Sequence, residues 1–408
     1  MVCLVVLTIR NSRIVVADAT ACRKCQCLAI PAKTSDPVPT IRNSTTAYIP
    51  AKTSDPHDCQ TDSSCWIENC QHHLCTSEQV PASHYMCDPT NHSWSLTFLS
   101  GQHFPTKNQG PLREISQTIK GHQGWSSSIV RGLKDLGPKA GTWNYNPSHP
   151  SMLNDVIWTD DCSRARQAIK DGTAKRTKFL VCGAVGFTGQ DRDMSDPAVG
   201  FIVTPSSSVA DRFRDKPTRM RVLVSGVDTV FFAPASNASQ VKAKLAVIYY
   251  KTPYNSPSKQ ALVQDVQKAL QASGYKTIVI TYGSYSLQQW KSVLLTAECA
   301  VFLHGTESQS IAQAEAWAMD VPTFVHVQNG LHVFGRDFLQ ANESPYLNFL
   351  NGARWTTTDE LLRAVKHLAK KKHHPRRYVL NTMTDEIAMW NALRAIQCEW
   401  ERRFGQSK

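Results

Sequence analysis

The sequence predicts an α/β fold with two domains built on parallel sheets, preceded by a Cys-rich extension that we expect to be disordered. Three observations predict this. From Trp94 onward, short apolar strand patterns alternate with helix patterns, which is typical of parallel sheets covered by helices on both faces. The 408 residues, 41% of them hydrophobic, suffice for two domains with separate cores. The first 90 residues lack such periodicity and hold nine of the thirteen cysteines.

The predicted extension covers residues 1–90. Residues 30–37 and 49–56 both read I-P-A-K-T-S-D-P, and Pro, Ser, Thr and Asp dominate the stretch, as is typical of disordered chain. Disulfide staples or a zinc site completed by histidines are the alternatives, although the cysteine spacing fits no standard zinc finger. The apolar run 1–9 is too short for a membrane-spanning helix and atypical of a signal peptide, which favours a cytoplasmic or peripheral membrane location.

The first domain is expected over residues 91–215. Gly124 stands at a turn that opens a helix, where backbone N–H groups can face a phosphate, although simple helix capping is the alternative. The predicted elements of this domain are, in order, a strand at 94–100, a helix at 129–136, a strand at 155–159, a helix at 162–170, a strand at 178–182, a strand at 201–205 and a helix at 209–214.

The second domain is expected over residues 216–380, and residues 381–408 are predicted to form a terminal helix with one apolar face. Loops that follow parallel strands emerge on one side of a sheet, so Lys251, residues 282–285 and residues 304–307 should converge. The predicted elements are strands at 244–250, 276–281, 298–303 and 322–327, with helices at 257–273, 286–295 and 308–319.

The segment 302–323 carries the strongest indication of function. It sets Glu307 after a strand and Glu315 two turns along a helix, roughly 12 Å away. A helix N-terminus that follows a parallel strand is a favourable phosphate site, whereas carboxylates accept hydrogen bonds from hydroxyl groups. The pattern therefore indicates a nucleotide sugar, with Glu307 on the sugar and Glu315 on the ribose. A helix-capping Glu307 and a solvated Glu315 are the alternative.

Two motifs resemble those of a known family. Glu307 and Glu315, followed by A-W-A-M-D-V-P, are similar to the paired-glutamate motif of retaining glycosyltransferases of the GT-B fold, the large group-1, family 4-like class. Asp320 stands where that motif usually has glycine. The run G-V-D at 226–228, with Phe232 and Pro234, resembles the signature that enters the donor domain of the same class.

The resemblance implies two Rossmann-like domains that face a cleft, with the terminal helix packing back across the domains. It also implies that a sugar is moved, with retention, from a nucleotide-diphosphate sugar as co-substrate, without cofactor or metal. It does not specify whether the acceptor is a carbohydrate, a lipid or a protein. Glu307 and Lys251 are the implied catalytic residues, with Lys251 as the cation that stabilises the leaving phosphate. The implied donor-binding residues are Glu315, Gly305, Thr306, Ser308, Gln309, Ser310, Tyr282, Gly283, Tyr285, Lys259 and Gly124.

One departure from the family pattern leaves alternatives open. The family's Arg and glycine are missing from the loop after the first donor-domain strand, where this chain has Lys251 and, eight residues on, Lys259. An inactive relative that binds nucleotide or sugar, and interacts with other proteins, is therefore the main alternative. A phosphorylase or an epimerase built on the same two-domain plan is another.

The formal net charge of +12 is unevenly distributed. Residues 361–380 contain seven Lys and Arg residues and no acidic residue. This stretch is compatible with peripheral association with an anionic membrane, while a solvated basic end of a surface helix is the ordinary alternative. No RNA-binding signature or zinc-finger spacing accompanies it, so we predict no nucleic-acid partner.

Overall fold

The computed structural model describes residues 4–9, 12–17, 87–99, 121–160, 162–183, 196–211, 220–235, 244–251, 257–305, 307–327, 331–333, 336–338, 344–368 and 373–405. The chain divides into two compact units, Met1–Ser77 and Glu78–Lys408. In the first unit the structure describes β1 (Leu4–Ile9) and β2 (Ser12–Ala17), which pair as an antiparallel hairpin. The predictions of disorder, disulfides or zinc between residues 18 and 86 lie outside the described residues.

Six parallel strands in the order β4-β3-β5-β6-β7-β8 form the first sheet of the second unit. The residues of β3, β5, β6 and β7 are all buried, which explains their unbroken apolar sequences. Since β8 closes this sheet, the first domain extends beyond residue 215. The elements are β3 (Leu96–Leu99), α1 (Gly121–Leu136), β4 (Trp143–Tyr145), β5 (Val156–Thr159), α2 (Cys162–Lys170), β6 (Phe179–Cys182), β7 (Val199–Thr204), α3 (Ser207–Asp211) and β8 (Met220–Val222).

The second sheet has five parallel strands in the order β10-β9-β11-β12-β15. A separate antiparallel hairpin, β13-β14, lies between β12 and β15 in the sequence. The elements are β9 (Leu245–Tyr250), α4 (Pro257–Ala272), β10 (Lys276–Thr281), α5 (Leu287–Thr296), β11 (Cys299–Leu303), α6 (Ile311–Ala318), β12 (Thr323–His326), β13 (Leu331–Val333), β14 (Arg336–Phe338), β15 (Gly352–Trp355) and α7 (Thr358–Leu368).

Several helices begin at residues other than those predicted, and two of these differences concern predicted site residues. The first begins at Gly121 rather than residue 129, so Gly124 lies within the opening turn of α1; glycine inside a helix costs only about 1 kcal/mol and does not prevent it. The other, α6, begins at Ile311 rather than residue 308. Ser310 has φ 63° and ψ 67°, a left-handed conformation that cannot continue a right-handed helix, so the chain remains a turn up to this residue.

The C-terminal residues form two helices, α8 (Pro375–Thr382) and α9 (Asp385–Phe404). The side chain of Thr384 caps α9 by accepting a hydrogen bond of 3.1 Å from the backbone of Ile387. The apolar face of α9 packs against α1 of the first domain, burying Met389, Ala392, Leu393, Ala395 and Ile396 in the same core as Ile129, Leu133 and Leu136.

Two disulfides join described cysteines, Cys87 to Cys398 and Cys162 to Cys182. The first ties residue 87, which lies inside the predicted extension, to α9.

None of the described helices is long and apolar enough to cross a membrane. The prediction of an α/β protein whose two Rossmann-like domains face a cleft is confirmed.

Candidate functional site

The strand order of the second sheet creates a topological switch point between β9 and β11. β10 lies on one side of β9, whereas β11 and β12 follow on the other. In open α/β sheets, ligands bind in the crevice beyond the carboxyl ends of the strands that flank such a point. Lys251 directly follows β9, and His304 directly follows β11. The Lys251 N–H donates to the carbonyl of Leu303 over 3.1 Å, which holds the two loops side by side.

Lys251 and Glu307 form an ion pair in this crevice. Lys251 Nζ lies 2.6 Å from Glu307 Oε1, and His304 Nδ1 lies 3.4 Å from the same oxygen. The Glu307 side chain is 12% exposed and the Lys251 side chain 32%. Burial favours the neutral form of Glu307, but the hydrogen bond and charge of His304, together with Lys251, hold the pKa of this carboxyl below its usual range. Glu307 is therefore ionised at neutral pH, and Lys251 occupies the more open side of the pair.

Tyrosine rings line the side of the crevice toward β10. Lys251 Nζ lies 4.7 Å from the ring centroid of Tyr282, a cation–π contact, and Tyr282 is 40% exposed. Gly283 has φ 81°, in the left-handed region that favours glycine, and turns the chain just after Tyr282. Tyr285 packs against the core, where its hydroxyl lies 3.3 Å from that of Tyr249. Of the two predicted tyrosines, Tyr282 is thus the one with an open ring.

Glu315 lies in a pocket of about 130 Å³ between the two domains. Gly124 and Arg131 of α1 line it from the first domain, and Asp228 lines it from the segment that joins the domains. Glu315 is only 7% exposed, and burial raises the pKa of its carboxyl to about 8 despite the opposing charge of Arg131. A neutral carboxyl both donates and accepts hydrogen bonds, which suits a ligand that carries hydroxyl groups.

Arg131 connects three parts of the chain at this pocket. Its Nε lies 2.6 Å from Asp385 Oδ2 at the start of α9, and 3.7 Å from Asp228 Oδ2. The Asp228 Oδ1 atom accepts a hydrogen bond of 2.8 Å from the backbone of Phe231, which fixes the carboxylate. Because two carboxylates face one guanidinium, this cluster offers no surplus positive charge. The pocket therefore suits an uncharged group better than a phosphate.

The loop from β11 to α6 carries further predicted donor-binding residues. Gln309 is buried, and its amide forms two hydrogen bonds of 2.8 Å with the backbone of Ser225. Ser310 adopts its left-handed conformation directly before the first turn of α6, at a position where glycine would be unstrained. Gly305 and Ser308 are half-buried in the same loop. The loop is thus held by Gln309 and aims a helix N-terminus toward the cleft.

The structure brings some predicted site residues together and leaves others apart. Lys251, Glu307 and Tyr282 meet in the crevice, while Glu315 and Gly124 line the pocket. The amide of Gln309 and the ring of Tyr285 are engaged in packing instead. Thr306 and the side chain of Lys259 lie outside the described residues.

The sequence analysis placed His304 among the converging loops without assigning it a role, and it missed Arg131. His304 stands three residues before Glu307, and its residue type was the available signal. Arg131 has no motif around it, and only the tertiary contact with Asp385 reveals it.

In the part of the chain that the structure describes, no group of three His, Cys, Asp or Glu side chains could hold a metal ion.

No protein-family model and no curated protein matches this chain. Among solved structures, the lipopolysaccharide outer core galactosyltransferase WaaB, in its apo form, is similar with 11% identity and a TM-score of 0.47, over 75% of this chain and 99% of its own. HepE from Anabaena, in complex with UDP and glucose, has 9% identity and a TM-score of 0.46, over 75% of this chain and 100% of its own. A glycosyltransferase from Rickettsia africae has 10% identity and a TM-score of 0.47, over 77% and 100%.

Proposed function

We propose that this protein is a retaining, metal-independent glycosyltransferase that moves a sugar from a nucleotide-diphosphate sugar to an acceptor. The observation that carries the proposal is the ion pair of Lys251 with a buried, ionised Glu307 at the switch point of the second sheet. A cation and an anion side by side fit a ligand in which a phosphate adjoins a hydroxyl-bearing ring. A sugar diphosphate has this composition.

The donor lies along the cleft with its diphosphate at the N-terminus of α6. Free N–H groups there, together with Lys251, stabilise the negative charge. Glu307 accepts hydrogen bonds from the hydroxyl groups of the transferred sugar. The neutral carboxyl of Glu315, in its pocket without surplus positive charge, holds the ribose. The exposed ring of Tyr282 offers a stacking surface, with Gly283 permitting the turn beside it.

The remaining predicted donor-binding residues have supporting positions. Gly305 and Ser308 border the sugar in the loop before α6, while Gln309 and Ser310 fix the loop. Gly124 approaches from the first domain, whose loops would receive the acceptor. For Tyr285, Thr306 and Lys259, donor binding is proposed from the family resemblance alone.

In the proposed reaction the bond between the sugar and the diphosphate breaks while the acceptor hydroxyl approaches the same face of the sugar. Negative charge builds on the departing phosphate, and Lys251 with the α6 N-terminus offsets it. The leaving phosphate assists removal of the acceptor proton, so the reaction requires no protein nucleophile. Glu307 keeps its negative charge beside a sugar that becomes positive in the transition state, which stabilises that state electrostatically.

The test is hydrolysis of nucleotide sugars by the full chain. UDP-, GDP- and ADP-sugars are incubated separately, and the released nucleoside diphosphate is measured. Slow release that falls on the order of 10²-fold in Lys251→Ala and in Glu307→Ala supports the proposal. Lys244→Ala and Glu298→Ala are matched controls, because these residues lie at the opposite ends of β9 and β11 and should leave the rate unchanged.

Two other outcomes would count against the proposal. A nucleotide that binds without any turnover would favour the inactive, nucleotide-binding alternative. Equal loss of activity in the controls would show that the variants act through the stability of the sheet. For an active protein, the anomeric configuration of the first product, followed by NMR, tests retention directly.

A further inference from the structure

The pocket that contains Glu315 runs away from the crevice, along the first turns of two helices. Leu287 begins α5 and Ile311 begins α6, and both residues line the pocket. Glu315 follows Ile311 by four residues and therefore lies about one turn along α6. Lys291 follows Leu287 by the same four residues and lies about one turn along α5. The pocket thus starts at the helix ends that border the crevice and continues toward the second turns of the helices.

Phe231 and Leu287 give this pocket an apolar wall. Both side chains are half-buried, so part of each remains open beside the core on which it packs. The ring of Phe231 meets the buried ring of Phe232 nearly at right angles, with centroids 4.9 Å apart, and this contact fixes its orientation. An oriented aromatic ring beside a pocket offers a surface on which a planar group can stack.

An ammonium group stands at this wall. Lys291 Nζ lies 4.6 Å from the ring centroid of Phe231, a cation–π contact that is weak where the side chains are accessible to water. Lys251 and Arg131 are held by carboxylates, whereas Lys291 has no carboxylate within ion-pair distance among the described residues. Lys291 can therefore turn from the ring to the edge of a bound ligand at little cost.

The proposed position of the donor places its base at this wall. The base and the diphosphate are attached to different carbons of the ribose and extend from it in different directions. With the diphosphate at Lys251 and the ribose at Glu315, the base lies beyond Glu315, where Phe231 and Lys291 stand. The ring of Tyr282 contacts Lys251 at 4.7 Å, so it lies beside the diphosphate and the sugar instead.

We infer that Phe231 and Lys291 form the base-binding surface of the donor pocket, and that Lys291 selects a keto base, uracil or guanine, over adenine. An ammonium group only donates hydrogen bonds. Guanine presents two acceptors, O6 and N7, on one edge, and uracil presents a carbonyl oxygen, whereas the corresponding edge of adenine carries an amino group that also donates. The inference rests on the proposed function, because it requires a nucleotide whose ribose lies at Glu315.

The experiment measures the dissociation constants of UDP, GDP and ADP for the full chain by isothermal titration calorimetry. In the wild type, UDP or GDP should bind about tenfold more tightly than ADP. Lys291→Met keeps an unbranched side chain against Phe231 but has no donor, so it should weaken the keto nucleotide to the level of ADP. Lys268→Met, at an exposed position of α4, is the matched control and should keep the wild-type ratio.

A second variant tests the ring separately. Phe231→Leu keeps an apolar side chain but removes the planar face, so it should weaken all three nucleotides by about fivefold or more without changing their order. Unchanged affinities in Phe231→Leu would remove the ring from the proposed surface. Because each comparison is a ratio of affinities within one protein, a reduced fraction of folded variant does not alter the result for Lys291.

The outcomes separate the inference from the proposed function. Equal binding of the three nucleotides by the wild type, tighter binding of ADP, or a preference that survives in Lys291→Met would overturn the inference while leaving the proposed function intact. Loss of the preference in Lys268→Met as well would also overturn it, since the net charge rather than Lys291 would then set the ratio. Absence of binding by all three nucleotides would count against the proposed function, and the inference would fall with it.

Discussion

The side-chain amide of Gln309 pairs with the backbone of Ser225, its oxygen accepting from the N–H and its nitrogen donating to the carbonyl, both over 2.8 Å. Ser225 belongs to the segment that joins the two domains, and Gln309 lies between Glu307 and Glu315 in the sequence. The pair therefore ties the proposed donor loop to the interdomain segment. The backbone of Gly226 is held next to it, since its N–H donates to the Ser128 hydroxyl of α1 over 2.7 Å.

Replacing Gln309 with alanine should destabilise the protein and impair donor binding. The buried N–H and carbonyl of Ser225 would lose their partners, at about 1–3 kcal/mol for each unsatisfied group. We expect the Tm to fall by several degrees and the KM for the donor to rise. Thermal unfolding of Gln309→Ala and of the exposed control Gln288→Ala measures the difference. Equal Tm values for the two variants would contradict the assigned role of the pair.

The raised pKa of Glu315 predicts a specific pH dependence of stability. A carboxyl in the unfolded chain ionises near 4.5, whereas Glu315 in the folded protein does so at about 8. Between these values the folded state retains a proton that the unfolded chain has lost, so the contribution to stability declines as pH rises through this window and is constant above it. Glu315→Gln cannot ionise and should lack this decline. Parallel curves of Tm against pH for wild type and variant would show that Glu315 is not held neutral.

Arg131 and Asp385 should be strongly coupled in their effect on folding. Arg131→Met would leave the buried Asp385 carboxylate without its cation, at a cost of about 3–5 kcal/mol. Adding Asp385→Asn removes the uncompensated charge. The double variant should therefore lose less unfolding free energy than the two single variants lose in sum. Denaturant unfolding of all four proteins gives the coupling energy. Additive free energies of unfolding would refute the coupling.

The fold was largely predictable because buried parallel strands have unmistakable apolar sequences, and Phe179–Cys182 and Cys299–Leu303 are examples. Strand Gly352–Trp355 was not predicted, because it contains an arginine and only its two end residues are buried. The start of α6 depends on the left-handed backbone of Ser310, which the residue type does not reveal, since Ser310 stands where glycine would be expected.

The candidate site, like the fold, was predictable only in part. Glu307 and Lys251 could be placed together from the alternation of strands and helices, because loops that follow parallel strands meet at one edge of the sheet. The contact between Arg131 and Asp385 joins residues 254 positions apart through the packing of α9 on α1, and no local pattern encodes it. The roles of Gln309 and Tyr285 in packing likewise depend on neighbours that are distant in the sequence.

The disulfide between Cys87 and Cys398 should contribute substantially to stability. The cysteines are separated by 311 residues, and removing a bond that closes a long loop typically costs about 2–5 kcal/mol. The double variant Cys87→Ser/Cys398→Ser should therefore lose more stability than Cys162→Ser/Cys182→Ser, whose bond spans 20 residues. Peptide mapping under non-reducing conditions checks whether the bonds form in the native protein. Finding both pairs as free thiols would favour the predicted cytoplasmic location over an oxidising compartment.

Excess EDTA should leave donor hydrolysis unchanged. In the proposed reaction Lys251 and the N-terminus of α6 supply the positive charge that a divalent ion would otherwise provide. The rate is measured with the nucleotide sugar that the protein accepts, with and without the chelator. Loss of activity that Mn²⁺ or Mg²⁺ restores would count against the metal-independent mechanism.

The most direct measurement of the central claim is a crystal structure of the protein with the accepted nucleotide sugar bound. We predict that Lys251 Nζ lies within about 3 Å of a phosphate oxygen, with Glu307 on the sugar hydroxyl groups and Glu315 on the ribose. A donor bound elsewhere, or a bound donor with Lys251 still paired to Glu307 and remote from the phosphates, would contradict the account.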